Sequence, residues 1–167
     1  ISGALGIKMA KPDQDVITFI GDGSYLLNNS DIYSSILYNK KLIIIICDNG
    51  GHMVINRLQL AKGGKEYLCN LKKSRATRVE FVDFESHAKS MGANAETVTS
   101  ISDLESAFKR AKNSDKTYVI SIKTDGYQWL EGTAFWESPT LEVPSSEENK
   151  KAYEEHLTGK DKQRKGV

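Results

Sequence analysis

Two stretches early in the chain are almost continuously apolar, residues 15–20 (DVITFI) and 41–47 (KLIIIIC). Short β-branched runs without polar alternation predict strands covered on both faces, as in a parallel sheet. Between them, residues 30–39 (SDIYSSILYN) set Ile32, Ile36 and Leu37 at helical spacing behind Asn29 or Ser30 as a cap, which completes a βαβ unit. Residues 83–92 predict a second helix, capped by Asp83, with Phe84, Ala88 and Met91 facing inward and Gly92 as its stop. A strand over 96–99 follows, then a helix from Ser102 with Leu104, Ala107, Phe108 and Ala111 on one face. Residues 117–123 (TYVISIK) form the last clear strand.

This alternation predicts an α/β fold, a doubly wound parallel sheet with helices on both faces, over residues 1–125. Residues 126–167 read as an extension that packs on the domain or on a partner: a loop with glycines and aromatics, a charged helix near 146–156, and a Lys-rich end. Residues 50–78 carry many Gly, Lys and Asn and little periodicity, which leaves room for a lid. The chain opens on Ile1 inside a helical pattern (ISGALGIKMAK), so a longer protein truncated at its N-terminus is the expectation.

Composition narrows the classes. Lys and Arg number 23 against 22 Asp and Glu, for a net charge of +1, so no basic face argues for nucleic acid. No apolar run reaches the roughly 20 residues of a membrane span, and a cytoplasmic location is expected. The two cysteines, Cys47 and Cys69, suit a reducing compartment. With His52 they would still lack a fourth zinc ligand, so any metal should be a hard cation.

The candidate chemistry lies where the two apolar strands stop. One ends on Gly21-Asp22-Gly23-Ser24 and the other on Asp48-Asn49-Gly50-Gly51, with Asn49 27 positions after Asp22. Either turn alone is ordinary, since Asp, Asn and Gly are common turn formers. Paired across one βαβ unit, they bring two side-chain oxygens to the carboxyl edge of a parallel sheet, where ligands bind. Oxygen donors suit Mg²⁺, and the glycines let backbone N–H groups approach an anion, so together the turns describe a site for a metal diphosphate. A dinucleotide fold fits worse for want of a third glycine, and neither GxxxxGK[ST] nor a GxSxG elbow is present.

GDGS followed by Asp48-Asn49 resembles the cofactor motif of the thiamine diphosphate enzymes, the superfamily of pyruvate decarboxylase and acetolactate synthase. ISGALGIKMA and DFESHAKSMGA are similar to the helices on either side of it. The resemblance implies that Asp22 and Asn49 bind Mg²⁺ by side chain and Gly51 by its carbonyl. It places Gly23, Ser24 and His52 on the diphosphate of thiamine diphosphate, beside Gly21. Asp48 stands where the superfamily usually has Asn, and the ligand position after it is intact. Within the superfamily, GDGSYLLNNSDIYSSI, DNGGHMVINRLQ and the tail from GYQWLEGTAFWE through EVPSSEENKKAYEE resemble the hydrolases that open a trihydroxycyclohexane-1,2-dione ring in myo-inositol catabolism.

That branch implies a polyol dione substrate whose C–C bond is cleaved by attack of the thiazolium carbanion on a ring carbonyl. It also implies an activating glutamate from a pyrimidine domain of the same enzyme, across a homodimer or homotetramer interface. The isolated chain is therefore expected to anchor cofactor without turnover. Asn56, Arg57 and Gln59 are the candidate substrate contacts. Trp129, Phe135 and Trp136 could form an apolar wall or pack on a partner subunit. An acetolactate synthase or α-keto acid decarboxylase relative, and a non-catalytic module binding Mg²⁺ or phosphate, are the competing expectations.

Overall fold

The computed structural model describes residues 1–129, 141 and 143–162. The chain divides into two compact units, one made of Ile1–His52 with Arg78–Asp125, the other of Met53–Thr77 with the described part of Gly126–Val167.

In the first unit the order is α1 (Ser2–Ala10), β1 (Ile17–Gly21), α2 (Asp22–Leu27), α3 (Asp31–Leu37), β2 (Ile43–Asp48), then α5 (Phe84–Ser90), β3 (Asn94–Val98), α6 (Ile101–Asn113) and β4 (Tyr118–Lys123). The four strands form one sheet in the order β1-β2-β4-β3, and every pairing is parallel. β2 and β4 lie in the middle. There the uninterrupted apolar run is needed, because Ile44 and Ile46 enter one core and Ile43 and Ile45 the other. The first core adds Leu5, Tyr25, Ile32, Leu42, Phe84 and Ala88, and the second adds Val98, Ala107, Ala111 and Ile120. α5 and α6 therefore cover opposite faces, as the doubly wound expectation requires.

β1 departs from the expectation of burial on both faces. It is an edge strand, and its Ile17 and Phe19 pair with Ile43 and Ile45 on the α6 face, yet α6 packs over β3 and β4 and leaves Phe19 70% exposed. Leu37 also points outward, at the last turn of α3. The strand expected over 96–99 starts at Asn94, where a polar and a small residue carry no β signal of their own. Caps follow their residue chemistry: Asp83 accepts from the Ser86 amide at 2.9 Å and Ser100 from the Asp103 amide at 3.1 Å. Ser30 makes no such bond, and its backbone is already helical.

The second unit holds α4 (Met53–Ala61), a 3₁₀ turn (Leu71–Lys73) and α7 (Glu147–Asp161). α4 lies in the stretch read as aperiodic. Its buried positions are Met53 and Asn56, and a polar residue on the inner face hides the helical period. Ser146 caps α7 through the Asn149 amide at 3.2 Å, and Ala152 and His156 are its buried residues. Gly63, at a φ of 73°, lies so close to the start of α7 that an added Cβ would sit 2.5 Å from the Glu148 carbonyl group.

Candidate functional site

β1 and β2 are hydrogen-bonded neighbours with Gly21 opposite Cys47, so their carboxyl ends finish side by side. Asp22 is the first residue of α2, directly after β1, and Asn49 directly follows β2. Parallel register alone thus brings the two candidate ligands together. Asp22 is 3% exposed; its Oδ2 accepts from the Gly51 amide at 2.6 Å and its Oδ1 from the Asn49 amide at 3.4 Å. Gly50 and Gly51 make the approach possible with φ values of 84° and 141°, a region that penalises any side chain.

The side-chain amide of Asn49 reaches both partners with one end, 3.1 Å from Asp22 Oδ1 and 2.9 Å from the Gly51 carbonyl oxygen. With its nitrogen at that end the amide donates to both oxygens. With its oxygen at that end instead, the amide would join the Asp22 carboxylate and the Gly51 carbonyl as a set of donors able to hold a hard divalent cation. The donor set of carboxylate, amide and carbonyl is the hard-oxygen chemistry Mg²⁺ prefers, and the residues fit the ion. Among the described residues no group of three or more His, Cys, Asp or Glu side chains is placed to hold a metal.

The electrostatics point the same way. Burial pushes the Asp22 carboxyl above its ordinary range, and the nearby Asp48 charge adds to this, against the backbone N–H bonds from Asn49, Gly51 and Gly23. Asp48, itself 5% exposed, is ion-paired with Lys123, its neighbour in the β2–β4 register, and accepts from the Gly50 amide at 3.2 Å. The pairing of Asp48 explains how an acid is tolerated beside Asn49. Sequence reading missed Lys123, although a charged residue ending an apolar strand beside a strand that ends in Asp was the available signal.

The remaining cofactor candidates gather at the same edge. Gly23 is buried beneath the imidazole of the exposed His52: an added Cβ would meet His52 Cε1 and Nδ1 at 2.6 Å each. Ser24 is exposed in the first turn of α2, where backbone N–H groups have no partner within the helix, and Gly21 precedes that turn as its N-cap. Tyr25, fully buried, anchors α2 from below. Its hydroxyl lies 2.9 Å from His87 Nδ1 and its ring packs edge-on against Phe84 at 5.2 Å.

The three substrate candidates sit on α4 in the second unit and do not form one face. Asn56 is buried and donates to Glu66 Oε1 at 2.9 Å, Gln59 donates to the Lys65 carbonyl at 2.6 Å, and Arg57 lies over Trp129 with 4.7 Å to the ring centre. Phe135 and Trp136 lie outside the described residues. Glu66, which accepts from Asn56, and Asn70 and Tyr127, which donate to the same carboxylate, were not legible in sequence, because each sits in an aperiodic loop.

Comparison with known proteins adds a family and its members. Residues 1–122 match the family described as thiamine pyrophosphate enzyme, C-terminal TPP binding domain. The 3D-(3,5/4)-trihydroxycyclohexane-1,2-dione hydrolase of Bacillus subtilis (strain 168) is 34% identical over 160 residues, covering 92% of this chain and 24% of its own length. The enzyme of the same name from Listeria monocytogenes serovar 1/2a is 36% identical over 160 residues, covering 95% of this chain and 25% of its own length. The chain thus spans about a quarter of the length of these relatives. Among solved structures, a thiamine diphosphate-dependent 4-hydroxybenzoylformate decarboxylase from Rhodococcus jostii RHA1 superposes with a TM-score of 0.62 at 27% identity, over 75% of this chain and 22% of that one.

Proposed function

We propose that this chain, which belongs to the thiamine pyrophosphate enzyme family as a C-terminal TPP-binding domain, anchors the diphosphate end of thiamine diphosphate through Mg²⁺ at the paired ends of β1 and β2. Asp22 Oδ1, the Asn49 side-chain oxygen and the Gly51 carbonyl are the protein ligands. The observation that carries the reading is the convergence at the paired strand ends, where the Asn49 side-chain amide comes within 3.1 Å of Asp22 Oδ1 and 2.9 Å of the Gly51 carbonyl oxygen. Gly21, Gly23, Ser24 and His52 line the diphosphate: Gly23 by leaving its Cα bare under the His52 ring, Ser24 by its exposed first-turn position.

Thiamine diphosphate supplies the electron sink needed to cleave a C–C bond next to a carbonyl. What this chain supplies is binding and orientation. Asp22 contributes the one unpaired carboxylate, because the charge of Asp48 is already met by Lys123. A single carboxylate leaves a divalent ion with positive charge in excess, and the diphosphate completes the neutralisation.

The relatives named as trihydroxycyclohexane-1,2-dione hydrolases support a ring-opening hydrolase of a polyol dione in inositol catabolism as the whole protein's activity. Asn56, Arg57 and Gln59 are the proposed substrate contacts, and a cytoplasmic homo-oligomer is the proposed setting; among the described residues no helix is long and apolar enough to cross a membrane. Since the match covers 24% of the relative's length, we assign activation of the cofactor to the rest of that length, a pyrimidine domain facing this one across a subunit interface, and expect no turnover from this chain alone. The decarboxylase neighbour supports an α-keto acid as the alternative substrate.

Calorimetric titration with thiamine diphosphate, with and without Mg²⁺, tests the anchor. Binding that needs Mg²⁺ supports it; equal binding without the ion removes the metal reading. Turnover of the trihydroxylated dione against pyruvate by the full-length protein decides between the two substrates.

A further inference from the structure

The second unit contains a polar cluster that the cofactor anchor does not use. Glu66 Oε1 accepts from Asn56 Nδ2 at 2.9 Å, from Asn70 Nδ2 at 3.2 Å and from the Tyr127 hydroxyl at 2.7 Å, while Oε2 is paired with the Lys73 ammonium. Asn70 also donates to the Tyr127 oxygen at 2.6 Å and accepts from the Lys72 amide at 3.1 Å. These donors, Lys73 first, hold the Glu66 carboxyl at about 2, so it stays ionised at every working pH.

The donors of the cluster are spent on one carboxylate, and one acceptor is left over. Asn56 Oδ1 is buried, in a residue 1% exposed, and among the described residues has no hydrogen-bond partner. Buried polar atoms are normally satisfied, and an exception calls for an explanation. Glu66 fixes the orientation: with Nδ2 held by the carboxylate, the amide cannot turn its oxygen elsewhere.

We propose that Asn56 Oδ1 receives a hydroxyl group of the ring substrate, with Glu66, Asn70 and Tyr127 as the residues that position it. This rests on the polyol dione reading above and adds the determinant that separates such a ring from a plain keto acid. The chemistry of the vacancy selects the ligand. A phosphate or carboxylate brings only acceptors and would approach the Glu66 charge, whereas a hydroxyl brings the missing donor. Lys73 and Tyr127 are the exposed members of the cluster, with 58% of the lysine side chain and 47% of the tyrosine accessible. A site that pairs a substrate hydroxyl discriminates strongly against the analogue lacking it, since its own buried group is then left unpaired.

The test uses the full-length protein and two substrates, the trihydroxylated dione and cyclohexane-1,2-dione, which lacks the hydroxyls. In Asn56→Leu the ratio of kcat/KM for the first over the second falls about tenfold, the loss of one hydrogen bond, while the Kd for thiamine diphosphate stays put. Tyr127→Phe lowers the ratio in the same direction by less, and serves if the leucine variant does not fold. Titration with myo-inositol as a non-reacting probe gives a second readout, weakened about tenfold by Asn56→Leu. Equal losses on both diones with inositol binding unchanged overturn the proposal and leave Asn56 a structural amide bonded to a buried water. If neither dione is consumed but inositol binding still responds to Asn56→Leu, the catalytic reading fails and the hydroxyl site stands.

Discussion

Replacing Asp22 by Asn separates the metal role of this residue from its role in the turn. The two side chains have nearly the same shape, so the amide keeps one oxygen for the Gly51 amide, the shorter of the two backbone bonds at 2.6 Å, and gives up the one to Asn49 at 3.4 Å. Losing that long bond costs about 0.5–1 kcal/mol. Against it stands the removal of a buried charge that burial and Asp48 both disfavour. Stability without cofactor should therefore stay within about 1 kcal/mol of the parent by urea denaturation. Cofactor binding has no such compensation. The variant loses the only carboxylate of the site not already paired, and Mg²⁺-dependent affinity for thiamine diphosphate should fall at least about 100-fold, two decades at about 1.4 kcal/mol each, by calorimetry. Full Mg²⁺-dependent affinity in Asp22→Asn would refute Asp22 as a ligand. Unfolding without cofactor would show that the residue serves the turn first, as its burial makes conceivable for the harsher Asp22→Ala change, which abandons both N–H donors.

Gly23→Ala puts a Cβ against the His52 ring; because His52 is exposed the ring can swing aside, so stability should drop by less than about 1 kcal/mol while cofactor affinity weakens about tenfold, and adding His52→Ala should restore the first and not the second. Lys123→Met leaves Asp48 buried and unpaired; since Lys123 itself is 64% exposed the loss is discounted to about 1–2 kcal/mol, read by denaturation, and a stability equal to the parent would show the pair to be idle. Tyr25, raised by burial from 10.0 to about 12, favours the folded state while neutral, so its contribution is complete below pH 10 and is lost as pH climbs from 10 to about 12. Two units at 1.36 kcal/mol put that loss at about 3 kcal/mol at most; Tyr25→Phe should lack this alkaline decline, and an identical decline in parent and variant would contradict the assignment.

The first unit was legible because its signals are local. Ile43 to Ile46 declare a central strand by having no polar member, and Asp83 announces a helix start by its carboxylate, while the helix expected from Ser102 begins at Ile101 with Ser100 as its cap. The meeting of the two turns was legible for the same reason: glycine-wrapped polar residues at strand ends need only parallel register to come together, and β1 and β2 are neighbours. Legibility fails where tertiary partners replace local pattern. Asn56 sits on the inner face of α4 with its Nδ2 held by Glu66, and nothing in residues 53–61 reveals a carboxylate ten positions on. Phe19 reads as core by composition, yet its exposure depends on where α6 crosses the sheet, a property of the whole unit.

On the proposed anchor Asp22 would link proton and cation in one group, which bears on how the anchor behaves with pH. Its raised carboxyl means that the cation-free fold holds the proton more firmly than a solvent-exposed Asp would. The sign for folding alone follows: neutral Asp22 is favoured in the folded state, so its contribution is complete at low pH and declines as pH rises through the raised value. On the proposed anchor metal binding would run oppositely, since a cation needs the ionised carboxylate. The two effects meet at the same atoms. Above the raised value the cation-free site carries the cost of a buried charge beside Asp48, and on the proposed anchor part of the free energy of binding Mg²⁺ would be the release of that cost. On that reading a buried Asp sacrifices some stability of the fold without cofactor for affinity in the loaded one.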